Sequence, residues 1–103
     1  MSITNLVNNS GVVAADVTGV GTARIGLAAA KYGTDKALFG YGNTGSYTAV
    51  KNLVSNSGVV ATDTTGVGSI RRELAASNYG GDKAIFGYGD GVPGLVSITN
   101  LVS

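Results

Sequence analysis

The chain has 103 residues and a mass of 10.2 kDa, enough for one small domain that buries a limited share of its surface. Its 7 Lys and Arg nearly balance 6 Asp and Glu, so it carries no electrostatic footprint for nucleic acid or an anionic membrane. The absence of Cys and His removes thiolate nucleophiles, the commonest general base and the commonest transition-metal ligand. We therefore expect no catalytic residue, no cofactor and no metal site.

One unit is repeated along the chain at an interval of 47 residues. Asp35-Lys-Ala-Leu-Phe-Gly-Tyr-Gly returns as Asp82-Lys-Ala-Ile-Phe-Gly-Tyr-Gly, and the glycines keep the same phase in both copies. Self-similarity at this period is typical of solenoids, propellers and arrays. We expect a single domain, 1–103, made of repeats 1–47 and 48–94 and a duplicated segment, 95–103, which repeats the start of the chain.

Short β-prone segments alternate with turn signals, which predicts an all-β meander. The chain opens on two predicted strands, Ser2–Asn8 and Val12–Val17, joined by a turn at Asn9-Ser-Gly. The first full unit follows with four predicted strands: Arg24–Tyr32, Lys36–Tyr41, Tyr47–Val54 and Val59–Thr64. The second unit continues with three: Leu74–Tyr79, Lys83–Tyr88 and Leu95–Ser103.

Two Ala-rich segments, Thr22–Tyr32 and Ser69–Tyr79, also fit a helix by propensity. Gly26 argues against a helix in the first of them, because it falls in the middle of the segment. Small residues also suit the crowded innermost strand of a radial array of sheets. We therefore expect strands in both segments, with helices as the alternative.

The pattern of each unit resembles the kelch type of β-propeller blade. It rests on Arg24, the small residues Leu27-Ala-Ala-Ala, and the glycine-rich end of Asp35-Lys-Ala-Leu-Phe-Gly-Tyr-Gly. In that family an Arg precedes an inner strand of small residues, and a second strand ends in a glycine doublet. The near-identity of the units also looks like the repetitive propeller arrays of phage and environmental sequences, or an engineered derivative of one. The resemblance implies two four-stranded blades.

Two blades do not close a ring, whereas a head-to-tail interface repeated with a closing rotation does. We expect a β-propeller fragment that assembles into a closed homo-oligomer, six-bladed as a trimer, with an eight-bladed tetramer as the alternative. Ser2–Asn8 and Ser97–Ser103 compete for one third-strand position in this arrangement. We expect the terminal copy to occupy it, because a short loop delivers it from Lys83–Tyr88 at a lower entropic cost.

Four repeated residues are candidates for ligand binding: Arg24, Arg71, Tyr41 and Tyr88. In a ring the arginines would form a circle of charge suited to an anion or a glycan, and the tyrosines could stack on sugar rings. The alternative is structural, with Arg–Asp ties between neighbouring blades through Asp16 and Asp63 and with the tyrosines packed in the interior or between blades. We expect the structural role for both residue types.

The expected function is a structural or protein-interaction scaffold without catalysis, and the alternative is a carbohydrate-binding, lectin-like propeller. The expected partner is the chain itself, with no nucleic acid and no membrane. No apolar run reaches the roughly 20 residues that span a bilayer, and residues 1–15 lack the pattern of a signal peptide. We expect a soluble protein, cytoplasmic or associated with a virion. Gly40 and Gly87 are expected to lie where a β-carbon is disfavoured.

Overall fold

The computed structural model describes residues 2–102, and within them the chain forms two three-stranded antiparallel sheets and no helix. The first sheet contains β1 (Ala28–Tyr32), β2 (Lys36–Asn43) and β3 (Tyr47–Val54), in that order. The second contains β4 (Ala75–Tyr79), β5 (Lys83–Gly87) and β6 (Thr99–Val102), in that order. The all-β prediction is confirmed, and the helical alternative for the Ala-rich segments is wrong.

The alanines of β1 form a strand because they pair with the buried strand β2. Ala28 lies opposite Gly40, and Ala30 lies opposite Leu38. Both alanines pack on the core with small side chains, which lets β1 approach β4 of the second sheet closely. Tertiary pairing therefore overrides the helical propensity of alanine here.

Several predicted strand limits are wrong. β1 begins at Ala28 rather than Arg24, because Gly26 has a positive φ of 63° that interrupts the extended backbone. β2 continues beyond its predicted end at Tyr41 through an irregularity between Gly40 and Gly42. The last strand spans Thr99–Val102, while the predicted terminal residue, Ser103, lies outside the described residues.

The fourth strand predicted for the first unit is not a regular strand. Val60 pairs with Val54 and Thr64 pairs with Lys51 as isolated bridges on the edge of β3. We call residues 60–64 the outer segment. It advances by four residues between the two bridges while β3 advances by three, so one extra residue interrupts the ladder of hydrogen bonds. The amino-terminal hairpin, residues 2–17, has the same geometry, with bridges between Thr4 and Val17 and between Val7 and Val13.

The core lies between the two sheets, where Leu38, Tyr41, Ala84 and Phe86 are buried. Phe86 packs edge-on against Tyr41 with 5.2 Å between ring centroids. Gly40 makes room for this ring, since a Cβ at that position would lie 3.2 Å from Phe86 Cζ. No helix long and apolar enough to cross a membrane occurs in the described part of the chain.

Candidate functional site

Arg24 lies just before β1 and joins three neighbouring segments of the first sheet. Its Nε donates to the Tyr41 carbonyl at 2.8 Å, and its Nη2 donates to Asn52 Oδ1 at 2.8 Å. A third bond runs from Nη1 to the Thr22 carbonyl at 3.1 Å. Burial lowers the pKa of Arg24 and the Asp63 charge raises it, and at neutral pH the guanidinium stays protonated. We call this the first arginine set.

Asp63 completes the first arginine set from the outer segment. Its Oδ1 accepts from the Thr22 N–H at 3.1 Å, and its Oδ2 accepts from the Thr22 hydroxyl at 2.6 Å. Asn52 Nδ2 donates to Asp63 Oδ1 at 2.9 Å and to the Ala61 carbonyl at 3.1 Å. These hydrogen bonds, that of the Thr22 hydroxyl first, lower the pKa of Asp63. Arg24 thus reaches Asp63 through Asn52 in one sheet, and the expected Arg–Asp tie between neighbouring blades is wrong here.

The second arginine set repeats the first around Arg71 but is incomplete. Arg71 is fully buried, and it donates through Nε to the Tyr88 carbonyl at 2.8 Å and through Nη1 to the Ser69 carbonyl at 3.1 Å. Asn100 takes the place of Asn52, because each lies opposite the phenylalanine of the neighbouring strand. Arg71 Nη2 and Asn100 Oδ1 are both buried without a hydrogen-bond partner within residues 2–102.

The amino-terminal hairpin carries a third, partial set. Asn5 Nδ2 donates to the Ala14 carbonyl at 3.1 Å and to Asp16 Oδ1 at 2.8 Å. These are the two bonds that Asn52 makes to Ala61 and Asp63 in the first set. The hairpin therefore presents the asparagine and the aspartate that belong to such a set.

The two candidate tyrosines occupy different environments. Tyr41 is 6% exposed, its hydroxyl donates to the Val67 carbonyl at 2.8 Å, and the Arg71 guanidinium carbon lies 4.3 Å from its ring centroid. The expected packed role is confirmed for Tyr41. Tyr88, its repeat, is 60% exposed and lines a shallow groove of about 220 Å³ with Ile85. The exposure of Tyr88 in the single chain does not test packing between blades, so for Tyr88 the expected packing stays a prediction.

A contact between the sheets was not predicted because it does not repeat. The Tyr47 hydroxyl donates to Asp90 Oδ2 at 3.0 Å, which raises the pKa of Tyr47. Arg72 Nε lies 3.6 Å from the same carboxylate oxygen. Asp90 and Arg72 replace an uncharged residue at each equivalent position of the first unit. Two opposite charges introduced together into one repeat are the signal that could have located this contact.

Asp35 and Asp82 lie in the turns between the first two strands of the two sheets. Asp35 and Asp82 pair with the following lysines, Lys36 at 3.3 Å and Lys83 at 3.0 Å, and all four side chains are exposed. A hydrogen bond from Asn56 Nδ2 at 3.1 Å is the main cause that lowers the pKa of Asp35. These pairs belong to the solvated surface and contribute little to stability.

Between Ser2 and Val102 no three His, Cys, Asp or Glu side chains are grouped closely enough to hold a metal ion. Neither a protein-family model nor a curated protein matches the chain. The functional argument therefore rests on the repeated geometry of the two sheets and the hairpin.

Proposed function

We propose that the chain is a self-assembling β-propeller scaffold with a structural or protein-interaction role and no catalysis. Each repeat contributes one blade, and copies join head to tail until the ring closes. Three copies give six blades, and four give eight. The kelch-like pattern of Arg24, the small inner residues and the glycine-rich second strand supports blades rather than an open solenoid.

One observation carries the proposal: a face that is covered in the first sheet is uncovered in the second sheet within residues 2–102. Tyr41 is 6% exposed because Phe86 and Arg71 of the second sheet cover it, whereas its repeat, Tyr88, is 60% exposed. Ile85 lies beside Tyr88 on the same groove. Within the chain, the second repeat covers this face of the first repeat. A repeat from another copy is suited to cover the equivalent face of the second repeat in the same way.

The matching half of the contact lies on the far side of the first sheet. Phe39 and Arg24 are the repeats of Phe86 and Arg71, and they line a cleft of about 240 Å³ beside the amino-terminal hairpin. A second copy that places Tyr88 in this cleft reproduces the contact that Tyr41 makes within one chain. Because each copy offers both halves, the contact propagates head to tail.

Native mass spectrometry at micromolar concentration tests the assembly. We expect a closed species of three times 10.2 kDa. Tyr88→Ala should shift the population to monomers that melt as the isolated wild-type chain does, since Tyr88 is exposed there. Tyr41→Ala is the matched control, and it should lower the melting temperature of the monomer by removing core packing. A folded monomer as the only species would overturn the proposal.

Carbohydrate binding is the second candidate function, favoured by one observation. The exposed Tyr88 ring borders an open groove whose other lining residues include the small polar side chains of Ser77 and Thr99. An exposed aromatic face beside hydroxyl groups suits a sugar ring. Ring closure would cover Tyr88, so the two functions exclude each other at this position. A monosaccharide panel followed by native mass spectrometry separates them, because binding lost in Tyr88→Ala would favour the lectin.

A further inference from the structure

We infer that the amino-terminal hairpin of a second copy completes the second sheet by placing Asn5 and Asp16 against Arg71 and Ser69. The inference rests on the proposed assembly and names the segment that closes each contact in it. It follows from hydrogen-bonding groups that the first arginine set satisfies and that the second set does not.

The donors lie in the second arginine set. Arg71 Nη2 is buried without a partner in residues 2–102, although the equivalent atom of Arg24 donates to Asn52. Ser69 is the repeat of Thr22, the residue whose N–H and hydroxyl hold Asp63 in the first set. A buried guanidinium nitrogen without an acceptor is costly, which favours an arrangement that supplies one.

The acceptors lie in the amino-terminal hairpin. Asn5 donates through its Nδ2 to Ala14 and Asp16, so its Oδ1 is the atom that would accept from an arginine. In the first arginine set, Asn52 Oδ1 accepts from Arg24 in this way. Asp16 likewise has the place of Asp63, whose carboxylate accepts from Thr22. Asn5 and Asp16 are both exposed, so they are accessible to a second copy.

The two halves do not meet within one chain, because they lie on opposite sides of the first sheet. The hairpin borders the cleft that contains Phe39. The second sheet packs on the other face, where Leu38 belongs to the buried core with Phe86. Consecutive residues of a strand point to opposite faces, so Phe39 and Leu38 mark the two sides. Only a second copy can bring a hairpin to Arg71.

Residues 2–8 then take the third-strand position held by β6 in the single chain. β5 pairs with β6 so that Phe86 lies opposite Asn100 and Ile85 lies opposite Leu101. The sequence Ile-Thr-Asn-Leu-Val occurs in both segments, so the same register places Asn5 opposite Phe86 and Leu6 opposite Ile85. Asn100 Oδ1 is buried and unpaired in the described residues, whereas Asn5 arrives with Asp16 already bound. Loop entropy alone favours the terminal segment in this position, whereas these hydrogen bonds favour the amino-terminal segment of a second copy.

Disulfide trapping tests the register directly, since the chain has no cysteine. Leu6→Cys and Ile85→Cys are made as separate single variants, mixed, and oxidised. We expect a cross-link between the two variants, because opposed residues of paired strands lie within disulfide range. Val7→Cys mixed with Ile85→Cys is the matched control and should not cross-link, since a shift by one residue moves the side chain to the other face.

Hydrogen exchange and one charge variant give independent readouts. On assembly the amides of residues 2–8 should gain protection while those of residues 99–102 lose it. Asp16→Asn should weaken assembly about tenfold or more, since it removes a charged acceptor. Asp63→Asn should instead destabilise the single chain. An assembly with no link from Leu6 to Ile85 and with residues 99–102 protected would overturn the inference and leave the ring standing. Absence of any assembly would overturn both.

Discussion

The first sheet has neighbours on both faces, whereas within residues 2–102 the second sheet has a neighbour on one. Tyr41 and Tyr88 occupy equivalent positions in the sequence, yet one is 6% and the other 60% exposed. The local sequence around both residues is Phe-Gly-Tyr-Gly. The difference in burial therefore comes from the neighbours of each sheet rather than from its own residues, as expected for a stack in which each unit touches only the next.

The arginine of the second sheet is more deeply buried than that of the first, but it makes fewer hydrogen bonds. Arg71 is fully buried against the ring of Tyr41, yet its Nη2 is unpaired in the described part of the chain. Arg24 is half-buried, and its bonds to Tyr41, Thr22 and Asn52 use all three guanidinium nitrogens. The outer segment thus supplies Asp63, which completes the hydrogen bonds of the first arginine set. The neighbouring sheet supplies the residues that cover the apolar face of the first sheet.

The largest expected effect separates the two repeated phenylalanines. Phe86 is 2% exposed against Gly40 and Tyr41, so Phe86→Ala should lower the free energy of unfolding by about 3–5 kcal/mol. Phe39 is half-buried in an open cleft, and Phe39→Ala should cost about half as much in the monomer. Urea unfolding below the assembly concentration measures both. Equal losses would show that the two sheets are packed alike in the single chain.

The next effect concerns two glycines that the sequence treats as equivalent. A Cβ at Gly40 would lie 3.2 Å from Phe86 Cζ, so Gly40→Val should cost about 1–3 kcal/mol by overpacking. At Gly87 a Cβ would lie 3.3 Å from the methyl group of Thr99, an exposed side chain that can shift, so Gly87→Val should cost less than Gly40→Val in the monomer and impair assembly instead. Melting temperatures and native mass spectra test both, and a monomer equally destabilised by either change would contradict the comparison.

Much of the fold could be predicted because the repeat marks its own boundaries. Glycines at a constant phase separated the strands, and Gly26 correctly argued against a helix in the Ala-rich segment. The fourth strand was harder to predict. Its single extra residue relative to β3 alters the ladder without changing the apolar pattern that indicates a strand.

The arginines and aspartates of the arginine sets could be predicted from the sequence, but the residues that join them could not. Arg24 and Arg71 were identified by their repetition, but the partners of each arginine depend on which segments the fold brings beside it. Asn52, which joins Arg24 to Asp63, carries no signal beyond its recurrence as Asn5 and Asn100. The stacking of Arg71 on Tyr41 is a contact between consecutive sheets, and sequence periodicity does not specify how far one sheet is offset from the next.

The smallest expected effect uses pH to test the first arginine set. Hydrogen bonds from Thr22 and then Asn52 lower the pKa of Asp63 in the folded chain from its ordinary value of 3.8. The ionised carboxylate therefore stabilises the native state fully above about pH 4, and this contribution disappears as the pH falls through the lowered pKa.

Asp63→Asn removes the titration, so the stability of this variant should decline less steeply in acid than that of the wild type. Because Asp63 is exposed and screened by solvent, the difference should stay below about 1 kcal/mol. Asp35, whose pKa is also lowered, titrates in both proteins and cancels. Thermal melts between pH 2 and 7 that run parallel for the two proteins would show that Asp63 does not hold the set together through its charge.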